Sequence, residues 1–221
     1  MGSLTADSSA LAGRREERKA QNRSKLLTAA RRVFAEKGLG EATARDIVRE
    51  TDLATGTFYN YFDDKEDAFR ALLRELAEKA ITAAREQRHR PGSTLEERVG
   101  GAYRSFFAIA VEDRELFQVF RRNASAIAMM PDEDLFEAGI QDLSEDLVDW
   151  ALQGELPQGA IDLDYLAASM AGVGFQVATR LIERDPPDVD TAARFCTRLF
   201  MGGIDELAVG EASTPAAAVI P

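Results

Sequence analysis

Cysteine and histidine are almost missing from this chain of 221 residues: it holds one of each, Cys196 and His89. A single thiol excludes an intramolecular disulfide, and one thiol with one imidazole cannot furnish an ordinary zinc site. The same scarcity leaves no nucleophile with a base at a usable spacing, and no glycine-rich phosphate loop takes its place. The expectation is a protein that is not an enzyme and carries no metal or other cofactor. Cys196 then reads as a small buried hydrophobe and His89 as a solvated residue at a helix end. No window approaches the roughly 18 uninterrupted apolar residues of a membrane-spanning helix, and Met1 to Ala12 lacks a signal peptide's apolar run. These absences suit a soluble protein of the reducing cytoplasm with no membrane partner. Proline is scarce too, and all seven lie between segments of helical spacing, never inside one.

Positive charge is in deficit, with 27 Lys and Arg against 38 Asp and Glu. Taken alone, a net charge of -11 argues against a nucleic-acid partner. The distribution of that charge argues the other way. Residues 1–90 hold 18 basic and 15 acidic side chains, whereas 91–221 hold 9 and 23. An acidic remainder would repel DNA everywhere except at the N-terminal end.

What is present is helical periodicity throughout, with no internal repeat and no sustained alternation of the kind strands show. A first helix from about Arg18 to Lys37 places Leu26, Leu27, Ala30, Val33 and Phe34 on one side and stops at Gly38. Short helices follow from about Ala44 to Thr51 and from about Thr55 to Tyr61. Only Asp52, Leu53 and Ala54 separate them, so the two must cross steeply, as in a helix-turn-helix. Asp64 caps a long fourth helix whose stripe of Phe69, Leu72, Leu73, Leu76, Ala80, Ile81 and Ala84 ends before Pro91-Gly92. Segments at about 94–110, 112–123, 132–153, 160–184 and 188–208 bring the count to nine. Residues 1–17 and 210–221 read as disordered tails.

The run Gly56-Thr57-Phe58-Tyr59-Asn60-Tyr61-Phe62, followed by Lys65-Glu66, resembles the N-terminal domain of the tetracycline-repressor (TetR) family, and the motif-bearing similarity extends from about Leu26 to Leu73. The resemblance implies an all-α fold with an N-terminal three-helix helix-turn-helix DNA-binding domain, here 18–64. A C-terminal helical ligand-binding and dimerisation domain, here 65–209, would follow it. It places base-reading and phosphate contacts on Ala44, Arg45, Thr55, Gly56, Thr57, Tyr59, Asn60, Tyr61 and Lys65. The residue types make independent physical sense. Gly56 and Thr57 let backbone approach a major groove, and Asn60 suits adenine. The phenols of Tyr59 and Tyr61 can donate to phosphate, as can Lys65 beside a helix N-terminus. Arg45 can reach guanine or a phosphate, and Thr43 caps the second helix. Three positions depart from the family pattern: Asp52 replaces the usual turn glycine, Ala54 the capping serine and Thr55 a common lysine. The missing cap costs about 1 kcal/mol.

The C-terminal body is rich in large, adaptable side chains: Tyr103, Phe106, Phe107, Phe117, Phe120, Met129, Met130, Phe136, Trp150 and Phe175. For any one of them a solid core is the simpler reading; the resemblance implies a pocket among them for a small hydrophobic or amphipathic effector. Arg121 either meets an anionic group of that effector or pairs with a nearby surface carboxylate. Small residues on the last two long helices, Ala168, Ser169, Gly172, Gly174, Gly202 and Gly203 among them, allow close approach, either within one subunit or across a homodimer. A two-fold dimer would set two recognition helices about one turn apart on a palindromic double-stranded DNA operator. The functional expectation is a repressor released by its ligand. A ligand-independent DNA-binding or protein-interaction module is the alternative.

Overall fold

The computed structural model describes residues 4–123, 135–156 and 161–212, with side chains for 13–123, 137–156 and 161–204. Among them are nine α-helices and no strand: α1 Leu4–Glu41, α2 Ala44–Arg49, α3 Thr55–Phe58, α4 Lys65–Arg88, α5 Leu95–Glu112, α6 Arg114–Arg122, α7 Leu135–Leu152, α8 Leu163–Leu181 and α9 Val189–Ala212. None is long and apolar enough to cross a membrane. The all-helical class expected from spacing is what the chain adopts.

Two compact units divide the chain, Met1–Glu75 with Glu115–Ile127, and Leu76–Arg114 with Ala128–Pro221. In the first, Leu26, Ala30, Ile47, Phe58, Ala68 and Phe69 are fully buried, and Phe34 meets Phe69 edge-on at 5.4 Å. That contact explains why the first turns of α4 fall in this unit: their apolar stripe is core to α1 and α3. The spacing placed the start of α1 near Arg18, yet the helix begins at Leu4. Nothing in 4–17 interrupts a helix, since the stretch lacks proline and its one glycine, Gly13, is tolerated at modest cost. Gly38 does break the helix, as its spacing suggested, but with φ 74° and ψ 166°, a conformation open only to glycine, and Leu39–Glu41 form one further turn.

In the second unit α5 packs on α9 and α8, and α7 packs on α8. Tyr103 lies buried between them, stacked on Phe107 and Phe200, with its hydroxyl donating to the Met170 carbonyl at 3.0 Å. Burial pushes its phenol pKa far up. Gly174 lets α8 pass this ring, because a Cβ there would stand 3.1 Å from Tyr103. Ionic contacts join α4 to α7. Buried Arg88 donates to Asp142 and Asp146, themselves buried; Arg85 Nε donates to Asp142 at 2.6 Å, and His89 Nε2 lies 2.7 Å from Asp146. Pairing of this kind is what allows charge inside, since an unpaired buried ion is far costlier. Thr94 and Glu97 form a capping box that starts α5.

Candidate nucleic-acid interface

Helix α2 is fixed at its start by a capping box. Thr43 Oγ1 accepts from the Asp46 N–H at 3.2 Å, and the Asp46 carboxylate accepts from the Thr43 N–H at 3.1 Å. The Thr43 capping role expected from sequence is therefore present, with Asp46 as its reciprocal partner. Lys37 closes the arrangement 2.8 Å from the second Asp46 oxygen. The Lys37 ammonium, with the Thr43 hydroxyl next, holds the Asp46 carboxyl down at a pKa of about 2. Ile47 and Val48 face inward, leaving Arg45 exposed and Ala44 half-exposed.

Ala54 gives α3 no side-chain cap, as the departure at that position suggested. The helix is one turn, Thr55–Phe58. Bonds from the Asn60 N–H to Thr57 and from the Tyr61 N–H to Phe58 carry the chain through a second, tighter turn. Phe58 and Phe62 form the inner side, both buried with their rings 5.5 Å apart. The opposite side presents Thr55, Gly56, Tyr59 and Asn60 to solvent, with Thr57 and Tyr61 half-exposed at its margins. Tyr59 remains 60% exposed while leaning edge-on against Phe58 at 5.4 Å. A Cβ added at Gly56 would meet nothing within 4 Å. The fold itself makes no demand for glycine there.

Lys65 opens α4 with its ammonium donating to the carbonyls of Leu39 at 2.8 Å and Gly40 at 3.0 Å. These are carbonyls left open where α1 ends at Glu41, and two of the three lysine donors are committed to them. Asp52, in the turn where glycine is usual, makes an ion pair of 3.0 Å with Lys25 of α1, which lowers its pKa. No sequence signal links positions 25 and 52.

The proposed effector residues occupy several places. Tyr103 and Phe107 are core of the second unit, with Phe106 and Phe175 half-buried in the same unit. Phe117 and Phe120 belong to the first, 6.5 Å apart, with Arg121 exposed beside them. Trp150 is buried under the Arg98 guanidinium, 4.9 Å above its ring, in a polar cleft of about 350 Å³ at the α4–α5 turn. Arg98 also pairs with Glu155, while its buried Nε has no partner. Met129 and Met130 lie outside the described residues, as does the side chain of Phe136.

A buried aromatic wedge behind a short, glycine-bearing, polar helix that crosses a capped partner defines a helix-turn-helix protein. Residues 26–72 match the family described as bacterial regulatory proteins, tetR family. The HTH-type transcriptional repressor Rv1474c of Mycobacterium tuberculosis is 39% identical over 72 residues, 32% of this chain and 38% of the relative. The chain thus spans well under half the length of that relative. Whole-chain similarity is to solved structures. The fatty acid degradation regulator FadR from Bacillus halodurans superposes with a TM-score of 0.73 at 22% identity, covering 82% of this chain and 95% of that one. The regulator FadR from Bacillus subtilis in complex with stearoyl-CoA gives 0.68 at 20% identity, covering 82% and 98%. At such identities the likeness establishes a shared fold.

Proposed function

We propose that the chain is a sequence-specific transcriptional regulator, a repressor that binds a palindromic operator as a homodimer and leaves it when a small, largely apolar ligand binds. The observation that carries the DNA reading is the outward side of α3. Thr55, Gly56, Tyr59 and Asn60 are exposed there with no packing role for the glycine, above a rigid Phe58–Phe62 wedge. In this reading Thr43, Ala44, Arg45, Thr55, Gly56, Thr57, Tyr59, Asn60 and Tyr61 supply the contacts, and Lys65 offers a phosphate its third N–H. Functionally, 18–64 reads DNA and 65–209 senses the effector and dimerises.

The homodimer is supported by surface that one chain leaves bare. Tyr165 on α8 and Phe195 and Leu199 on α9 are 73%, 57% and 47% exposed. Positions 165, 168, 169 and 172 share one side of α8, as 195, 199 and 202 share one side of α9. Glycines 172, 202 and 203 have open space where a Cβ would stand, unlike Gly174. Two such helices from each protomer form a four-helix interface. For the effector, the complex of the Bacillus subtilis FadR with stearoyl-CoA makes long acyl thioesters the first class to try here. Helix α4 contributes to both units, so a ligand that tilts it alters the separation of the recognition helices. A coupling of about 1 to 3 kcal/mol suffices for roughly tenfold to hundredfold release.

The test is selection of duplexes from a random pool by the full chain, repeated with Tyr59→Ala. One imperfect palindrome, recovered by the native chain and lost in the variant at unchanged thermal stability, is the expected result. Recovery of no common sequence would overturn the reading. Selective binding that no acyl thioester or other apolar ligand weakens would favour the ligand-independent module.

A further inference from the structure

We propose that the extended first helix is a phosphate track: Arg14, Arg18 and Arg32, with Arg49 across a cleft, hold the backbone of the duplex flanking the half-site that α3 reads. The proposal rests on the DNA-binding reading and extends it to residues outside the helix-turn-helix motif. Helix α1 runs from Leu4, so Arg14 and Arg18 belong to the same rigid rod as Lys25 and Arg32. Spacings of four, seven and seven residues bring all four to one side, and all are exposed. At 1.5 Å per residue the stripe extends about 27 Å. One DNA strand places about eight phosphates over that length.

Gln21, Ser24 and Thr28 fall between the cations on the same side, supplying neutral donors. Residues 13–32 hold eight basic side chains against two acidic ones, in a chain whose net charge is -11. Glu16 points to the opposite side of the helix and Glu17 flanks the stripe. Toward its C-terminal end the stripe borders a cleft of about 600 Å³ shared with Arg49, Glu50 and Asp52. The 3.0 Å Lys25–Asp52 pair fastens it to the turn that precedes α3 and cancels the Asp52 charge. Arg32 and Arg49 then outnumber Glu50.

The chemistry favours a nucleic-acid backbone over an acidic protein. Protein docking surfaces centre on buried aromatic or aliphatic anchors. Among the residues whose side chains are described, the large exposed apolar ones are Tyr59, Val148, Leu152, Tyr165, Phe195 and Leu199, none of them on α1. Regularly spaced guanidinium groups among hydroxyl and amide donors are what phosphate contacts use.

The experiment compares the native chain with Arg14→Ala/Arg18→Ala by fluorescence anisotropy across a salt series. One duplex is the selected palindrome alone; a second extends it by about ten base pairs on each side. On the extended duplex the salt slope of the variant is expected to fall by about 1.8, from roughly 0.9 per phosphate contact. Its sequence preference should persist, and the two proteins should converge on the trimmed duplex. Lys79→Ala/Arg90→Ala, an equal loss of charge in the other unit, should leave the slope alone. Equal slopes for native chain and variant on the extended duplex would overturn the track while leaving the DNA-binding reading intact. An equal fall in the Lys79/Arg90 control would overturn it as well, by making net charge the cause. Absence of selective binding by the native chain would remove both.

Discussion

Replacing Lys65 by Met keeps the side-chain stem and deletes the ammonium that bridges the Leu39 and Gly40 carbonyls. Hydrogen bonds from a charged donor contribute about 1.5 to 3 kcal/mol each when well shielded. The Lys65 side chain is 23% exposed, so water recovers part of that when the donor is lost. The substitution also removes a cation from a helix N-terminus, which returns about 0.5 kcal/mol. The net loss is therefore about 2 kcal/mol, or roughly 4 to 8 °C in the unfolding midpoint of a chain this size. Thermal unfolding followed by circular dichroism reads it directly. An unchanged midpoint would refute the reasoning, because the two carbonyls would then have been equally well served by water. A salt series on the selected duplex adds the second half. A slope lower by about one unit in Lys65→Met assigns the third N–H to a phosphate, and an unaltered slope confines the residue to holding α4 against α1.

The capping carboxylate of α2 gives a pH dependence of definite sign. Asp46 titrates near 2 in the folded chain against 3.8 ordinarily, so its contribution to stability is complete above about pH 4 and is lost as pH falls through 2. Asp46→Asn should be less stable than the native chain above pH 4, with the gap closing toward pH 2 in urea midpoints; a gap independent of pH would contradict the Lys37–Thr43–Asp46 arrangement. On the proposed dimer face, Phe195→Asp/Leu199→Asp should sediment as a monomer at micromolar concentration, against a dimer for the native chain, with helical content preserved. Native mass in that variant would move the interface elsewhere.

Much of the fold was legible because helix spacing and proline placement are local signals. Expected and observed helices agree to within a few residues from α2 to α9. The exception is 4–17, expected as a tail but the start of α1: the stretch lacks an apolar stripe, so hydrophobic periodicity does not register its helix. The outward side of α3 was legible for a similar reason, since Gly56, Tyr59 and Asn60 are neighbours in sequence as well as in space. What sequence did not reveal are pairings over long separations. Nothing in the residues linked Lys65 to the end of α1, Lys25 to Asp52, or Arg88 to Asp142 and Asp146, and the same carboxylates and cations read equally well as solvated. Trp150 and Tyr103 show the limit for aromatics. Both suit a ligand pocket by type, yet one lies under Arg98 and the other is stacked in the core, and only packing distinguishes these from a cavity wall.

The single thiol has a practical consequence. Cys196 is wholly buried, and burial pushes its pKa up to about 11, so at neutral pH it holds little thiolate and meets no reagent. A cysteine introduced at an exposed position such as Glu50 would be the one reactive sulfur on the chain, with no need to remove the native one. In a two-fold assembly each protomer would then carry one spin label or dye beside its recognition helix, and the distance between labels would track how far apart the two helices stand as an effector is added.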